Sequence, residues 1–172
     1  MALEKMNTSS ASSQHHPNIL SRCTLVLAGF FRPFLMIILK NIYIVWGDKN
    51  RISIGAHSRI ANATLNTSSG KIIIGDHVFF GHNVSVITGT HDYTLRRQRR
   101  MQSWPDKGND IHIDNGVWVG TGAIILGPCT IGADAVIGAG SLVSPKTIIE
   151  PGTVYMGFPA KYVKHIKFSD SI

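Results

Sequence analysis

Cysteine is scarce in this 172-residue chain: Cys23 and Cys129 are the only two. A disulfide framework and a four-thiolate zinc site are both excluded on that count. Acidic residues are few as well, ten Asp and Glu against seventeen Lys and Arg, which leaves a net charge of +7 and a pI near 9.7. Such a balance favours anionic partners. Charged residues make up only 16% and apolar ones 44%, which excludes a disordered chain. No helix-turn-helix or zinc-finger pattern is present, so nucleic acid is not expected as a partner. No G-x-G-x-x-G follows a strand, which removes a dinucleotide-type fold. Residues 19–46 are densely apolar, yet Arg32 and Pro33 split them, and the halves Cys23–Phe31 and Phe34–Leu39 are each too short to span a bilayer. No small-residue cleavage site follows, so a signal peptide is not expected.

What is abundant is a period of six. Ile113, Val119, Ile125, Ile131, Ile137, Val143, Ile149 and Tyr155 recur in one phase, and Ile74, Phe80 and Val86 and the pair Ile54 and Ile60 repeat it. Four residues after each comes a smaller side chain: Ser58, Thr64, Val78, Val84, Thr90, Val117, Ala123, Cys129, Ala135, Ser141, Thr147 and Thr153. Gly55, Gly75, Gly81, Gly120, Gly132 and Gly138 follow the aliphatic position. Neither a period of 3.6 nor one of 2 produces this. The pattern predicts a mainly β fold, a parallel β-helix of triangular section. Each rung is one short strand and one corner, and three rungs make a coil. The aliphatic residue fills the prism, the small residue faces inward near the corner, and Gly relieves the turn. Cys129, on a small inward position, reads as a buried apolar thiol.

The phase fails twice. Between Ile60 and Ile74 there are fourteen residues where twelve would hold it, with Asn66–Gly70 as the bulge. A longer insertion, 92–112, follows His91 and puts that imidazole at an outward corner beside a projecting arm. The domain plan is a disordered tail at 1–18, an apolar helical segment at 19–46 that either caps the domain or touches a membrane interface, a β-helix at 47–160 with the loop 92–112, and a C-terminal tail or short helix at 161–172.

The segments SGKIIIGDHVFFGHNVSVITGTHDY (69–93), NDIHIDNGVWVGTGAIILGPCTIGADAVIGAGSLVSP (109–145) and GFPAKYVK (157–164) resemble the hexapeptide-repeat acyltransferases, close to the maltose, galactoside and surface-polysaccharide O-acetyltransferases. The resemblance implies a left-handed coil, where generic crossover rules favour the right hand. The His-Asp pair in TGTHDY is similar to enzymes of surface-polysaccharide and lipopolysaccharide loci. It also implies acetyl-CoA as co-substrate and a homotrimer with active sites between subunits. The acceptor would be a sugar hydroxyl of a bacterial surface glycan or its precursor. A nucleotide-amino-sugar N-acetyltransferase and an antibiotic acetyltransferase are the alternatives.

Acetyl transfer needs a base, oxyanion donors and a positioned thioester. His91 is the expected base, since imidazole titrates near neutrality, and Asp92 either orients it or holds the loop. By the resemblance, Trp118 packs beside the pantetheine arm and the N–H of Thr121 meets the oxyanion or thioester. Ala139 and Gly140 would offer backbone groups, Lys161 and Lys164 would meet the phosphates, and Asn62 would bind acceptor. Arg96, Arg97, Arg99 and Arg100 crowd like charges into five residues, a costly arrangement that an anionic acceptor would relieve. His57, His77 and His82 invite a zinc reading through the γ-class carbonic anhydrases of this fold. In those enzymes a second ligand follows the position of His82 by five residues; here that residue is Ile87, so no metal is expected to be required. The expected location is cytoplasmic, with a peripheral position at the inner face of the membrane as the open alternative.

Overall fold

The computed structural model describes residues 29, 31, 42–60 and 62–169. The chain divides into two compact units, Met1–Met36 and Ile37–Ile172, and all the β-structure among the described residues belongs to the second. The expected tail at 1–18 and most of the apolar segment 19–46 lie outside the described residues. Among the described residues, no helix is long and apolar enough to cross a membrane.

Among the described residues, fifteen short strands make up the body. They run β1 (Ile44–Trp46), β2 (Ile52–Ile54), β3 (Thr64–Asn66), β4 (Ile72–Ile74), β5 (Phe79–Phe80) and β6 (Ser85–Ile87). After one helix, α1 (Arg97–Gln102), come β7 (Ile111–Ile113), β8 (Trp118–Val119), β9 (Ile124–Leu126), β10 (Cys129–Ile131) and β11 (Val136–Ile137). The chain ends with β12 (Leu142–Val143), β13 (Ile148–Ile149), β14 (Thr153–Gly157) and β15 (Ala160–His165). They form three five-stranded sheets, the faces of a prism: β1-β3-β6-β9-β12, β2-β4-β7-β10-β13 and β5-β8-β11-β14-β15. Pairing is parallel throughout, except that β15 turns back antiparallel on β14. This is the β-helix that the period of six predicts.

The core follows the same period. Ile74, Val86, Ile113, Val119, Ile125, Ile131, Ile137, Val143 and Ile149 are buried in one cluster, with Ile54 and Tyr155 packed against it. Ala123, Cys129 and Ala135 fill the small inward positions. Burial pushes the Cys129 thiol up to about 12, which keeps it protonated and unreactive.

Five expectations need correction. The apolar segment was expected to be helical to residue 46, but Ile44–Trp46 is the strand β1, hydrogen-bonded in register to β3. Its backbone finds partners in the edge that β3 would otherwise leave open. At the first phase break, Ala63 and Leu65 face inward rather than Thr64. That rung is one residue short, and the excess is taken up at the corner Thr67–Gly70. The loop does not extend to residue 112, because Ile111 is already buried in β7; it leaves earlier, with Thr88 buried and Thr90 exposed. It also carries α1. Finally, 160–165 is a strand rather than a tail or helix, since an edge strand at the end of the third face supplies its backbone partners.

The six rung glycines also have a different reason from the expected one. None of them has positive φ; His57, His77, Asn83, Asp134 and Lys146 take the left-handed turn positions with Gly116, Gly122, Gly140 and Gly152. The rung glycines are there because coils stack at the inter-strand spacing. A Cβ on Gly81 would stand 2.5 Å from the Thr121 nitrogen, one on Gly120 2.5 Å from that of Ala139, and one on Gly132 2.7 Å from that of Pro151.

One buried group is unsatisfied: Ser69 Oγ has no hydrogen-bond partner among the described residues. Removing a stranded hydroxyl recovers part of its desolvation cost. Ser69→Ala should therefore raise stability by about 1 kcal/mol in chemical denaturation. A loss of stability would mean that the hydroxyl has a partner in solution.

Candidate active site

Two cavities hold the expected site residues. The larger lies along the third face, with a volume of about 940 Å³. Trp118, Thr121, Ala139 and Lys164 all line it. Alternation along β8 turns Val119 inward and Trp118 outward, where its ring stacks on Phe79 at 5.7 Å. Gly81, Gly120 and Gly138 form a floor without side chains, and Val136, Val154 and Met156 add apolar wall. The glycines that let the coils stack also leave backbone uncovered. The N–H groups of Thr121 and Ala139 donate to nothing among the described residues, and these are the two nitrogens that a side chain on Gly81 or Gly120 would cover. The cleft thus offers two open amide donors on successive coils, the kind of group that stabilises developing negative charge. Gly140, expected beside Ala139, instead donates to the Thr121 carbonyl at 2.9 Å. At the β15 end the cationic lining is Lys164 and Lys167. Lys161 is exposed on the same strand and is not part of the lining. Lys167 carries no motif in the sequence, since only the reversal of β15 brings it back to the face.

The second cavity, about 350 Å³, is lined by Asn66, Ser68, Gly89, Thr90, His91 and Trp104. It sits where the chain passes from the first face to the second, after β6 and before β7. His91 Nδ1 lies 2.9 Å from the Arg100 carbonyl oxygen. A carbonyl can only accept, so Nδ1 carries a proton, and in the neutral ring the lone pair is on Nε2. The Trp104 ring meets the imidazole edge to face, with centroids 6.0 Å apart. His91 is therefore oriented by its own loop: a backbone carbonyl fixes the tautomer and an indole limits the ring.

Asp92 does not orient the imidazole. Its Oδ1 accepts from the Thr94 N–H at 2.9 Å and from the Thr94 hydroxyl at 2.6 Å. Those bonds hold its carboxyl below the usual carboxylate range, with a smaller contribution from Arg100. Asp92 closes a turn at the base of the loop, and its own N–H donates to the Ser103 carbonyl at 3.3 Å. Asn62 is not in the cavity either. It pairs with Asn83 at the corner between the third and first faces, where Asn83 takes positive φ. Asn66, four residues on, occupies the place expected of it.

The arginines divide. Arg100 spends its guanidinium on the loop itself, with Nε to the Leu95 carbonyl at 2.7 Å and Nη2 to that of Tyr93 at 3.0 Å. Arg96, Arg97 and Arg99 are exposed and make no side-chain bond among the described residues. The loop is tied to the body by Arg51, whose Nη2 meets Asp106 Oδ1 at 2.7 Å while Nη1 donates to the Asp106 and Thr67 carbonyls. Sequence reading missed Arg51, Trp104, Asn66 and Ser68 as site residues: Asn66 and Ser68 read only as part of the bulge and Trp104 only as part of the insertion. His57 and His77 stack at 5.0 Å, and no three metal-ligating side chains are grouped among the described residues.

Comparison with known proteins agrees with this fold. Residues 110–145 match the family model "Bacterial transferase hexapeptide (six repeats)". A galactoside O-acetyltransferase of Lactococcus lactis is 35% identical over 96 residues, 55% of this chain and 44% of that protein; the chain thus spans under half of that curated relative. A hexapeptide-repeat-containing acetyltransferase of Vibrio cholerae, solved with acetyl coenzyme A, is 27% identical with a TM-score of 0.62 and covers 85% of each chain. A maltose O-acetyltransferase of Clostridium difficile is 30% identical, with a TM-score of 0.54 over 80% of this chain and 75% of that one. The chain belongs to the hexapeptide-repeat transferase family.

Because Asp92 and Arg51 hold the loop, Asp92→Ala and Arg51→Ala should each speed limited tryptic cleavage within 96–100 several-fold at pH 7. Asp92→Asn should not, since its amide oxygen still accepts from Thr94. The lowered carboxyl gives the sign of the pH response. The turn's contribution is complete above the ordinary Asp pKa and is lost as pH falls through the lowered value. A carboxyl titration by NMR that placed Asp92 at or above 3.8 would contradict the Thr94 bonds.

Proposed function

We propose that the protein is an acetyl-CoA-dependent O-acetyltransferase acting on a sugar hydroxyl of a bacterial surface glycan or its precursor. The observation that carries this reading is the orientation of His91, which lines a cavity: Nδ1 is committed to the Arg100 carbonyl, so in the neutral ring Nε2 is the nitrogen left to accept a proton. The acceptor O–H proton goes to Nε2, and the hydroxyl oxygen forms a bond to the acetyl carbonyl carbon. The C–S bond breaks, and the leaving sulfur takes the proton back from Nε2. Acetyl-CoA supplies the activated acyl group. The large cleft fits that group: a groove with a glycine floor and apolar walls for the pantetheine, Lys164 and Lys167 toward the phosphates, and the Thr121 and Ala139 amides for the charge on the carbonyl oxygen.

The two cavities share no lining residue and belong to different parts of the prism. One chain therefore holds the base and the thioester cleft apart, and this supports a homotrimer in which His91 of one subunit serves the cleft of the next. A peripheral position at the inner membrane face is supported by the apolar run before residue 42 and by the exposed Ile42, Ile44 and Trp46. Arg96, Arg97 and Arg99 are placed to meet an anionic part of the acceptor.

His91→Ala should lower kcat by about 10²–10⁴-fold with acetyl-CoA binding unchanged, read by thiol release against a panel of sugars and glycan fragments. Lys164→Ala should raise KM for acetyl-CoA and leave kcat nearly intact. Near-normal turnover in the His91 variant would end this mechanism. An active monomer in sedimentation equilibrium would end the trimer. Cosedimentation with phosphatidylglycerol vesicles should fall several-fold in Ile44→Ser/Trp46→Ser, and equal binding would remove the membrane contact.

A further inference from the structure

The prism has two unlike ends. Strands stack in chain order on each face, so β1 and β2 stand at one end and β12 and β13 at the other. Arg59 belongs to the same first coil as β1 and β2, because it bridges to Phe79 of the second. The cations that line the third-face cleft lie at the far end: Lys164 is on β15, the outermost strand of that face, and Lys167 is just beyond it. His91 follows β6 of the third coil, but its loop reaches the other way. The cavity beside it takes Asn66 and Ser68 from the second coil, and Asp106 of the loop pairs with Arg51 of the first. Trp46 is the register partner of Asn66, so this cavity stands one strand step, about 4.8 Å, from the terminal coil.

That coil carries the surface chemistry of a contact with an anionic bilayer. Ile42, Ile44 and Trp46 are all exposed, Trp46 by 63%. Alternation along β1 turns Ile44 and Trp46 to the same side. Residues 42–60 hold Lys49, Arg51 and Arg59 against the single acid Asp48, whose carboxyl caps its own turn at the Asn50 N–H. Lys49 and Arg59 are exposed and make no side-chain bond among the described residues, and the same is true of Arg96, Arg97 and Arg99 on the loop tied to this coil. An indole settles at the level of lipid headgroups, and each uncommitted cation adds attraction to an anionic surface. The apolar run before residue 42 immediately precedes this coil in the chain. Phe158 and Phe168 are exposed toward the other end, but a bilayer there would cover Lys164 and Lys167 and the mouth of the cleft they line.

Resting on the acetyltransferase reading above, we infer that the β1–β2 end of the prism docks on an anionic bilayer and that the enzyme is interfacial: its acceptor is a glycan anchored in that bilayer and reached from this end, while acetyl-CoA enters from the β15 end. The two substrates impose opposite demands. An anchored acceptor stays at the surface, so the base must stand within reach of the headgroups, and the His91 cavity is one strand step behind the docking coil. Acetyl-CoA is a soluble polyanion that an anionic surface repels over about a Debye length. Lys164 and Lys167 are at the end of the prism furthest from that surface. One axis therefore serves both demands. In a trimer of parallel prisms three such ends would lie in one plane, and weak contacts at each would add as avidity.

Hydrogen exchange on the full chain reads this orientation without turnover. With vesicles of equal parts phosphatidylglycerol and phosphatidylcholine, amides in 42–54 should exchange several-fold more slowly, and those of Thr153–His165 should not change. Vesicles of phosphatidylcholine alone should give no protection. Lys49→Glu/Arg59→Glu should weaken binding to the anionic vesicles about tenfold and leave thiol release with a soluble glycoside unchanged. The acceptor class is read by offering one sugar in two forms, as its soluble methyl glycoside and as its diacylglycerol glycoside held in the anionic vesicles. At equal bulk concentration the anchored form should be acetylated several-fold faster. Its rate should fall when it is diluted with phosphatidylglycerol at constant bulk concentration. Equal rates on the two forms, or no response to surface dilution, would overturn the interfacial assignment. Absent protection in 42–54, or protection at Thr153–His165 instead, would overturn the orientation. The acetyltransferase reading fails on different results, no thiol release with any acceptor in either form or normal turnover without His91, and neither of these alters the exchange pattern.

Discussion

The spacing between coils governs this molecule. Parallel strands on each face are locked at one inter-strand distance by their backbone hydrogen bonds, so every corner must turn within the thickness of a single strand. That requirement removes the side chain at Gly81, Gly120 and Gly132, where a Cβ would strike backbone of the next coil. It also holds the inward corner positions to Ala, Ser, Thr, Val and Cys. The same constraint creates the functional surface. With no side chain on Gly81 or Gly120, the amides of Thr121 and Ala139 remain open to the cleft, so stacking geometry and oxyanion-type donors have one cause. A groove made in this way needs no loop to shape it.

The excursion between β6 and β7 obeys different physics. It lacks a core of its own, and α1 contributes no buried residue. Its order comes from polar ties: Asp92 with Thr94, Arg100 with two carbonyls, Arg51 with Asp106, and Asn109 Nδ2 with the Thr88 carbonyl at 3.0 Å. Exposed ties are individually weak, but here they close one short segment at both ends and across its middle. Their combined effect is positional. The Arg100 carbonyl arrives at His91 Nδ1 only if the helix is held where it is, so a cation that looks like a ligand for substrate acts through the backbone it anchors.

Most of the fold was legible because its period is enforced at every rung. Any residue too large or too polar at the inward positions would break a coil, so the pattern is dense and cannot drift unnoticed. Where the period slips, at Ala63 and Leu65, the reading slipped by one residue for the same reason: a shortened rung shifts the phase without leaving a marker. The cleft residues Trp118, Thr121 and Ala139 sit on rungs, whereas Lys164 lies on the returning strand β15 and was legible only through the resemblance of its segment. The surroundings of His91 were not. Asn66 belongs to the coil before, Trp104 to the far limb of the excursion and Arg51 to the first coil described, and proximity among them arises from stacking rather than from spacing in the chain. Asp92 misled because adjacency in sequence suggested an orienting carboxylate, whereas a two-residue turn with Thr94 satisfies it locally.

The division of labour between prism and excursion bears on specificity. The cleft on the third face is built from backbone and glycine, features that a substitution changes only by unstacking coils. The cavity at His91 is built from side chains of a corner and a loop, which can be exchanged with no penalty to the core. A chain organised in this way can hold its third-face cleft constant while the cavity at His91 varies.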